Sequence, residues 1–329
     1  MRAWLSAVAL AAACGNGSMN NPVDGSGSTD GSDAGSDAAI PPGWKMLIAR
    51  SWSLPSAGDE AFECVRIQVK EDTWISAFKP LAPTGTHHSL LTLDPVTTQT
   101  GDFDCDPAVG FNGSTTRLLY ASGLNTNPLV FPQGTAVHIP AGAYITLNLH
   151  LLASGDFGIH GMSGVLVQTV DPSQVVHEID ATLAGAKAIN FPADGANHLV
   201  TGGCAAPNTW HVFALWPHMH EAGVHAKLIF TENNVSNTVL DEPFDFSAEQ
   251  VYPMNETVVN QNDLITVDCT YNAGMHTCSY PGGACVPGTC YPDGFCHIPY
   301  GENSAGEMCY VAMYKYPAGD VPVYGCGSE

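Results

Sequence analysis

Apolar residues recur along this chain in short runs separated by turn residues, as at 65–69, 144–152, 164–170 and 211–216. These are strand lengths, and no stretch sustains the period of a helix. No internal repeat is visible, so the pattern predicts an all-β protein made of many short strands. The strand-like run SGVLVQTV ends in Asp171-Pro172-Ser173, which is turn chemistry and marks a boundary between two parts of similar size, 43–171 and 172–329. A second break lies at 278–299, where CSYPGGACVPGTCYPDGFCHI carries four cysteines amid Gly and Pro. It reads as a disulfide-knotted loop or insertion that cannot form a regular strand.

Ahead of the patterned part, residues 15–42 run through Gly, Ser, Asp and Asn, as in GSGSTDGSDAGSDA. Such a segment buries too little apolar surface to offset its ordering entropy and is expected to be a disordered, acidic tether. Before it come Arg2, an apolar stretch of small residues at 3–13, and Cys14 after Leu10-Ala11-Ala12-Ala13. Residues 1–14 resemble a bacterial lipoprotein signal peptide in which Cys14 becomes the lipidated first residue. The apolar stretch is too short to span a bilayer, so the expected membrane attachment is through the lipid alone. The expected location is the bacterial cell envelope, at the outer membrane or the periplasmic face.

Composition supports this picture. Only 13% of residues are charged, while Gly and Pro are frequent, which suits strands and turns better than salt-bridged helices. The formal charge of −22, from 10 basic and 32 acidic residues, repels polyanions and argues against a nucleic-acid partner. Eleven cysteines are many for a reducing cytosol, and beyond Cys14 an even ten remain for disulfides.

Histidines supply the candidate chemistry. His87 and His88 lie in GTHHSLL, His150 in TLNLHLL, and His218 and His220 in WPHMHEAG; Met308 follows in GEMCYVAMYKY. His-x-His on a strand places both imidazoles on one face, which makes a bidentate metal half-site. Adjacent histidines on a regular strand point to opposite faces, so His87 and His88 can share an ion only at a bulge or a strand end. Gly85 and Thr86 permit such an irregularity. Taken singly, His150 and Met308 are read as core residues.

The order and flanks of these residues change that reading. The sequence resembles the copper type II, ascorbate-dependent monooxygenases, the family of peptidylglycine alpha-hydroxylating monooxygenase and dopamine beta-monooxygenase. The resemblance runs over residues 43–329 and rests on His-His, then L-x-L-His, then HVFALWPHMHEAG, then Glu-Met-Cys before an apolar strand with Tyr314 and Tyr316. It implies two tandem antiparallel β-sandwich domains of jelly-roll type, each with one copper. His87, His88 and His150 would hold the electron-transfer copper, and His218, His220 and Met308 the distant catalytic copper. It also implies the disulfides Cys64–Cys105, Cys204–Cys326 and Cys269–Cys309. Cys278, Cys285, Cys290 and Cys296 fall outside the family pattern. Two local disulfides of any connectivity, or a zinc knot, are open to them, and an oxidising compartment favours disulfides.

The function so implied is hydroxylation of a C–H bond in a small organic substrate, using O2 and a one-electron reductant such as ascorbate. Two departures bear on the substrate. Trp216 stands where the peptide-hydroxylating members carry a carboxylate-gripping arginine, and Tyr310 and Ala312 replace the asparagine and tyrosine that follow Met-Cys there. Peptidylglycine is therefore disfavoured. Trp216 is either part of a less charged substrate pocket or a core residue. The competing reading is a non-catalytic lipoprotein that binds or delivers copper. A zinc hydrolase using His218, His220 and Glu221 is weaker, because a thioether suits zinc poorly. His211 is a candidate supporting partner of the second site.

Overall fold

The computed structural model describes residues 40–94, 99–107, 109, 116–153, 155, 158–278, 289–304 and 306–328. The signal segment with Cys14, the tether up to residue 39, and Cys285 lie outside the described residues.

The protein is all-β, with antiparallel sheets in a sandwich-like arrangement. Among the described residues the helical elements are two single 3-10 turns, Pro172–Gln174 and Phe246–Ala248. The first of these follows the Ile159–Thr169 strand. The largest sheet runs in the order Tyr252–Val259, Trp210–His218, Cys309–Tyr316, Asp180–Ala186, Arg117–Gly123, Thr86–Asp94, Tyr144–Leu152, Glu60–Gln68, Gly101–Asp104. Strands from both halves of the chain therefore share one sheet. They join through a single pairing, Ala181 with Leu118.

Smaller sheets cover this one. Strands Lys45–Leu54, Ile159–Thr169, Thr73–Leu81 and Thr135–Ile139 form the body of one, and His198–Ala205, Leu264–Tyr271, Gly223–Glu232 and Val235–Pro243 form another. Burial follows position. Every residue of Thr86–Asp94 is buried, as a central strand covered on both faces requires, whereas Leu264–Tyr271 alternates between buried and more exposed positions with one face on the core. Two apolar clusters result, one with Phe78, Leu91, Leu119 and Leu147, the other with Trp210, Leu228, Val267 and Val311.

Cys64–Cys105, Cys204–Cys326 and Cys269–Cys309 are disulfides, and Cys278 pairs with Cys290. Cys296 is disulfide-bonded as well, so this part of the insertion is covalently knotted and is not a zinc knot. Within it, Cys296–Pro299 pairs with Asn190–Pro192 and with Thr289–Cys290. The expectation of no strand there is thus corrected: two short strands pair through their backbones, and Cys278–Cys290 ties the first of them to residue 278. This disulfide content marks an exported protein. Among the described residues no helix is long and apolar enough to cross a membrane.

Candidate metal centre

The site begins with a bulge. Gly85 has φ +100°, and a Cβ there would meet Ile159 and Trp52 side chains at 2.5 and 2.6 Å, so glycine is required. In the strand that follows, Thr86 pairs with Leu151 and His88 with His150, so His87 is skipped and the register shifts. That irregularity lets adjacent histidines face the same side. The His87 and His88 Nδ1 atoms approach to 2.9 Å, and both rings lie near that of His150, with centroids 4.9 and 4.8 Å away.

Hydrogen bonds fix which nitrogens are available. His87 Nε2 donates to the Phe246 carbonyl at 2.7 Å, so its lone pair is on Nδ1, the nitrogen that faces His88. His150 Nε2 donates to Glu60 at 2.7 Å, and its Nδ1 is buried without a partner. The same bond holds the Glu60 carboxyl down at about 2, helped by the Ser304 hydroxyl. His218 Nδ1 donates to Glu249 Oε1 at 2.8 Å and His220 Nδ1 to the Gly306 carbonyl at 2.9 Å, so each presents Nε2. Tying the far nitrogen in this way orients a ligand imidazole and sets its tautomer. Burial pushes His87 down to about 4 and His218 and His220 to about 3, and holds His88 well below the ordinary range. These four imidazoles are therefore neutral at physiological pH, the form that binds metal.

His218 ends the Trp210–His218 strand, whose neighbour begins one residue after Met308. Met308 is buried and lines a cavity together with His88, Trp216, His218 and Tyr310. Glu307, beside it, accepts the backbone N–H groups of His220 and Ala222 at 2.8 and 2.6 Å. This carboxylate ties the turn carrying His220 to the segment carrying Met308, just ahead of the Cys309–Tyr316 strand. The Cys269–Cys309 disulfide anchors the same strand from the other side.

The structure departs from the sequence reading in the distance between the two sets. The ring centroids of His88 and His218 are 5.0 Å apart, and those of His218 and His220 are 5.2 Å apart. Five imidazoles thus form one contiguous cluster instead of two remote ones. The reason is packing across the two strand sets: Trp216 and Tyr314 share a core with Leu118 and Tyr120, and the Tyr314 hydroxyl accepts the Ala121 N–H at 2.9 Å. His211 does not support the site: it hydrogen-bonds Glu256 and stacks on Tyr316. Glu221 is exposed, whereas His218 and His220 are buried. Trp216 answers both descriptions given for it, being 1% exposed and also a wall of the cavity, stacked on His218 at 5.0 Å.

Sequence reasoning missed Glu60, Phe246, Glu249 and Glu307 as parts of the site. Glu60 had a legible position, two residues before Phe62 on a strand whose Phe62 faces His150. Glu249 had no motif. It follows a turn in which the Asp245 side chain caps Ser247, and it is entirely buried against the histidines. Burial pushes its carboxyl up to about 8, and Oε2 has no hydrogen-bond partner.

The donor set fits copper. A buried imidazole nitrogen and a buried carboxylate oxygen, both without partners, stand among neutral imidazoles, where a cation would satisfy them. The neighbouring thioether is a soft donor that favours Cu(I) over zinc.

No family model matches the sequence, and no curated protein matches it. Among solved structures, that of the infectious bursal disease virus Gt strain aligns over 89% of this chain and 78% of that one, at 10% identity and a TM-score of 0.20. Dimeric latent PorU from Porphyromonas gingivalis aligns over 79% of this chain and 25% of that one, at 9% identity and a TM-score of 0.18. Likenesses this weak carry no argument about fold or function.

Proposed function

We propose that this chain is an exported copper-dependent monooxygenase that hydroxylates a C–H bond of a small organic substrate, using O2 and a one-electron reductant such as ascorbate. The observation that carries the reading is the cluster of His87, His88, His150, His218 and His220, four of them with the far nitrogen hydrogen-bonded. Met308 beside His218 adds the soft ligand that a structural zinc site has no use for. Bound copper would supply the redox chemistry that activates O2.

The chain's own residues shape what can react. The cavity beside Met308 is walled by Phe62, Leu90, Trp216 and Tyr310, with Glu302 at its rim, which suits an apolar or aromatic compound better than a peptide carboxylate. Its water-accessible space is about 30 Å³, room for a water or two and not for an aromatic ring. Substrate entry therefore requires lining side chains to move, and when closed the walls keep bulk water from the reacting centre. Attachment to a membrane through lipidated Cys14 belongs to the same proposal.

The test is oxygen consumption by the copper-loaded protein, with ascorbate and a panel of small aromatic and amide compounds. The monooxygenase reading predicts uptake that depends on copper, reductant and organic substrate together. Uptake with reductant alone, unchanged by every substrate, favours instead a protein that stores or delivers the metal.

A further inference from the structure

Glu249 lies between the two histidine sets. Its Oε1 is 2.8 Å from His218 Nδ1, and its partnerless Oε2 is 3.9 Å from His88 Nδ1. Ligand atoms of His88, His218 and Glu249 all lie within 4.8 Å of one another, and the same holds for His87, His88 and His150. His88 belongs to both groups. A carboxylate has two oxygens and can serve two ions, whereas a neutral imidazole offers one lone pair to one ion, so the carboxylate is the group able to join the two sets. A fully buried carboxyl with one free oxygen is costly as an anion, and either a proton or a cation beside it relieves that cost.

Its placement is built from both halves of the chain. The Phe246 ring packs on His87 with centroids 3.9 Å apart while its carbonyl holds His87 Nε2. The Glu249 carbonyl accepts from Thr126 Oγ1 at 2.8 Å, and a Cβ on Gly123 would stand 2.9 Å from Glu249 Cβ. The segment therefore reaches the histidines only because residue 123 has no side chain.

We propose that Glu249 is itself a metal ligand, and that it joins the histidines into one dinuclear centre with two adjacent copper ions. The proposal rests on the copper reading above. The narrower alternative is that Glu249 only positions His218 by accepting its Nδ1 proton.

The full mature chain is loaded with Cu(II), and its metal content is compared with the spins counted by electron paramagnetic resonance. Adjacent ions couple, so the expected result is two coppers per chain, far fewer than two spins, and a half-field transition. Glu249→Gln keeps an oxygen acceptor for His218 while removing the carboxylate. It should weaken one equivalent by more than about tenfold, a scale that outer hydrogen bonds alone reach, and restore an uncoupled signal. Two coppers with two full, independent spins in the unmodified protein overturn the dinuclear centre and leave the copper reading standing. Unchanged stoichiometry and coupling in Glu249→Gln overturn the ligand role. If that variant fails to fold, Glu249→Asp, which withdraws the carboxylate but keeps its charge, is judged by the same two readings. No copper binding in the unmodified protein overturns the copper reading and this proposal with it.

Discussion

A thioether among imidazoles biases a site toward Cu(I), and Met308 is the residue on which that bias depends here. Met308→Ile roughly preserves size and apolarity, a change that costs under about 1.5 kcal/mol in a core. The fold is expected to survive it while X-ray absorption of the reduced, copper-loaded variant loses its copper–sulfur scattering. Persistence of that scattering makes Met308 a packing residue only. A buried ion cluster elsewhere is sensitive to loss of one partner. Lys315 is fully buried, with Nζ bonded to Asp180 at 2.8 Å, Asp320 at 2.6 Å and the Pro317 carbonyl at 2.8 Å. Lys315→Met leaves Asp320 without a cation and Asp180 with Arg117 alone, and should cost about 3–5 kcal/mol in denaturant unfolding. Burial alone would raise the Asp320 carboxyl, but Lys315, Trp210 and Asn208 outweigh it and hold the group below its usual range. Its folded pKa thus lies below the unfolded value of about 3.9, so its contribution is complete above that pH and fades as pH falls through the folded value. Melting temperatures of the native protein and Asp320→Asn should differ at neutral pH and converge in acid.

At the scale of elements, the turn Phe246–Ala248 and the glycine facing it decide whether Glu249 reaches the histidines. Gly123→Ala should displace Glu249 and shift metal binding more than it shifts the melting temperature, as copper titration beside calorimetry would register. Equal copper affinity in that variant contradicts the packing argument. The strands bearing the histidines were legible because alternation and strand-length apolar runs are local signals: 144–152 coincides with the Tyr144–Leu152 strand, and 211–216 lies inside Trp210–His218. The His87 bulge was legible too, since two adjacent histidines on a regular strand cannot face one side. The turn carrying Glu249 was not, because its meaning comes from contacts with His88 and Thr126, which are more than 120 residues away in the chain. The strand within the cysteine-rich insertion was hidden for a similar reason, its partner Asn190–Pro192 lying far upstream.

Across the whole molecule, strands from 43–171 and from 172–329 share one apolar core, and that packing brings the two histidine sets within contact of each other. Spacing along the chain could assign histidines to sets, but it held no information on the distance between sets. A net charge of −22 further favours the gathering of cations over anions. The central claim is oxygen insertion at this cluster, and isotope labelling tests it most directly. Copper-loaded protein is given ascorbate, a substrate that supports oxygen uptake, and 18O2 in ordinary water, and the product is weighed by mass spectrometry. The account predicts one 18O atom in each hydroxylated product and loss of that product in Met308→Ile. Product oxygen drawn from water, or labelled product undiminished by Met308→Ile, contradicts it.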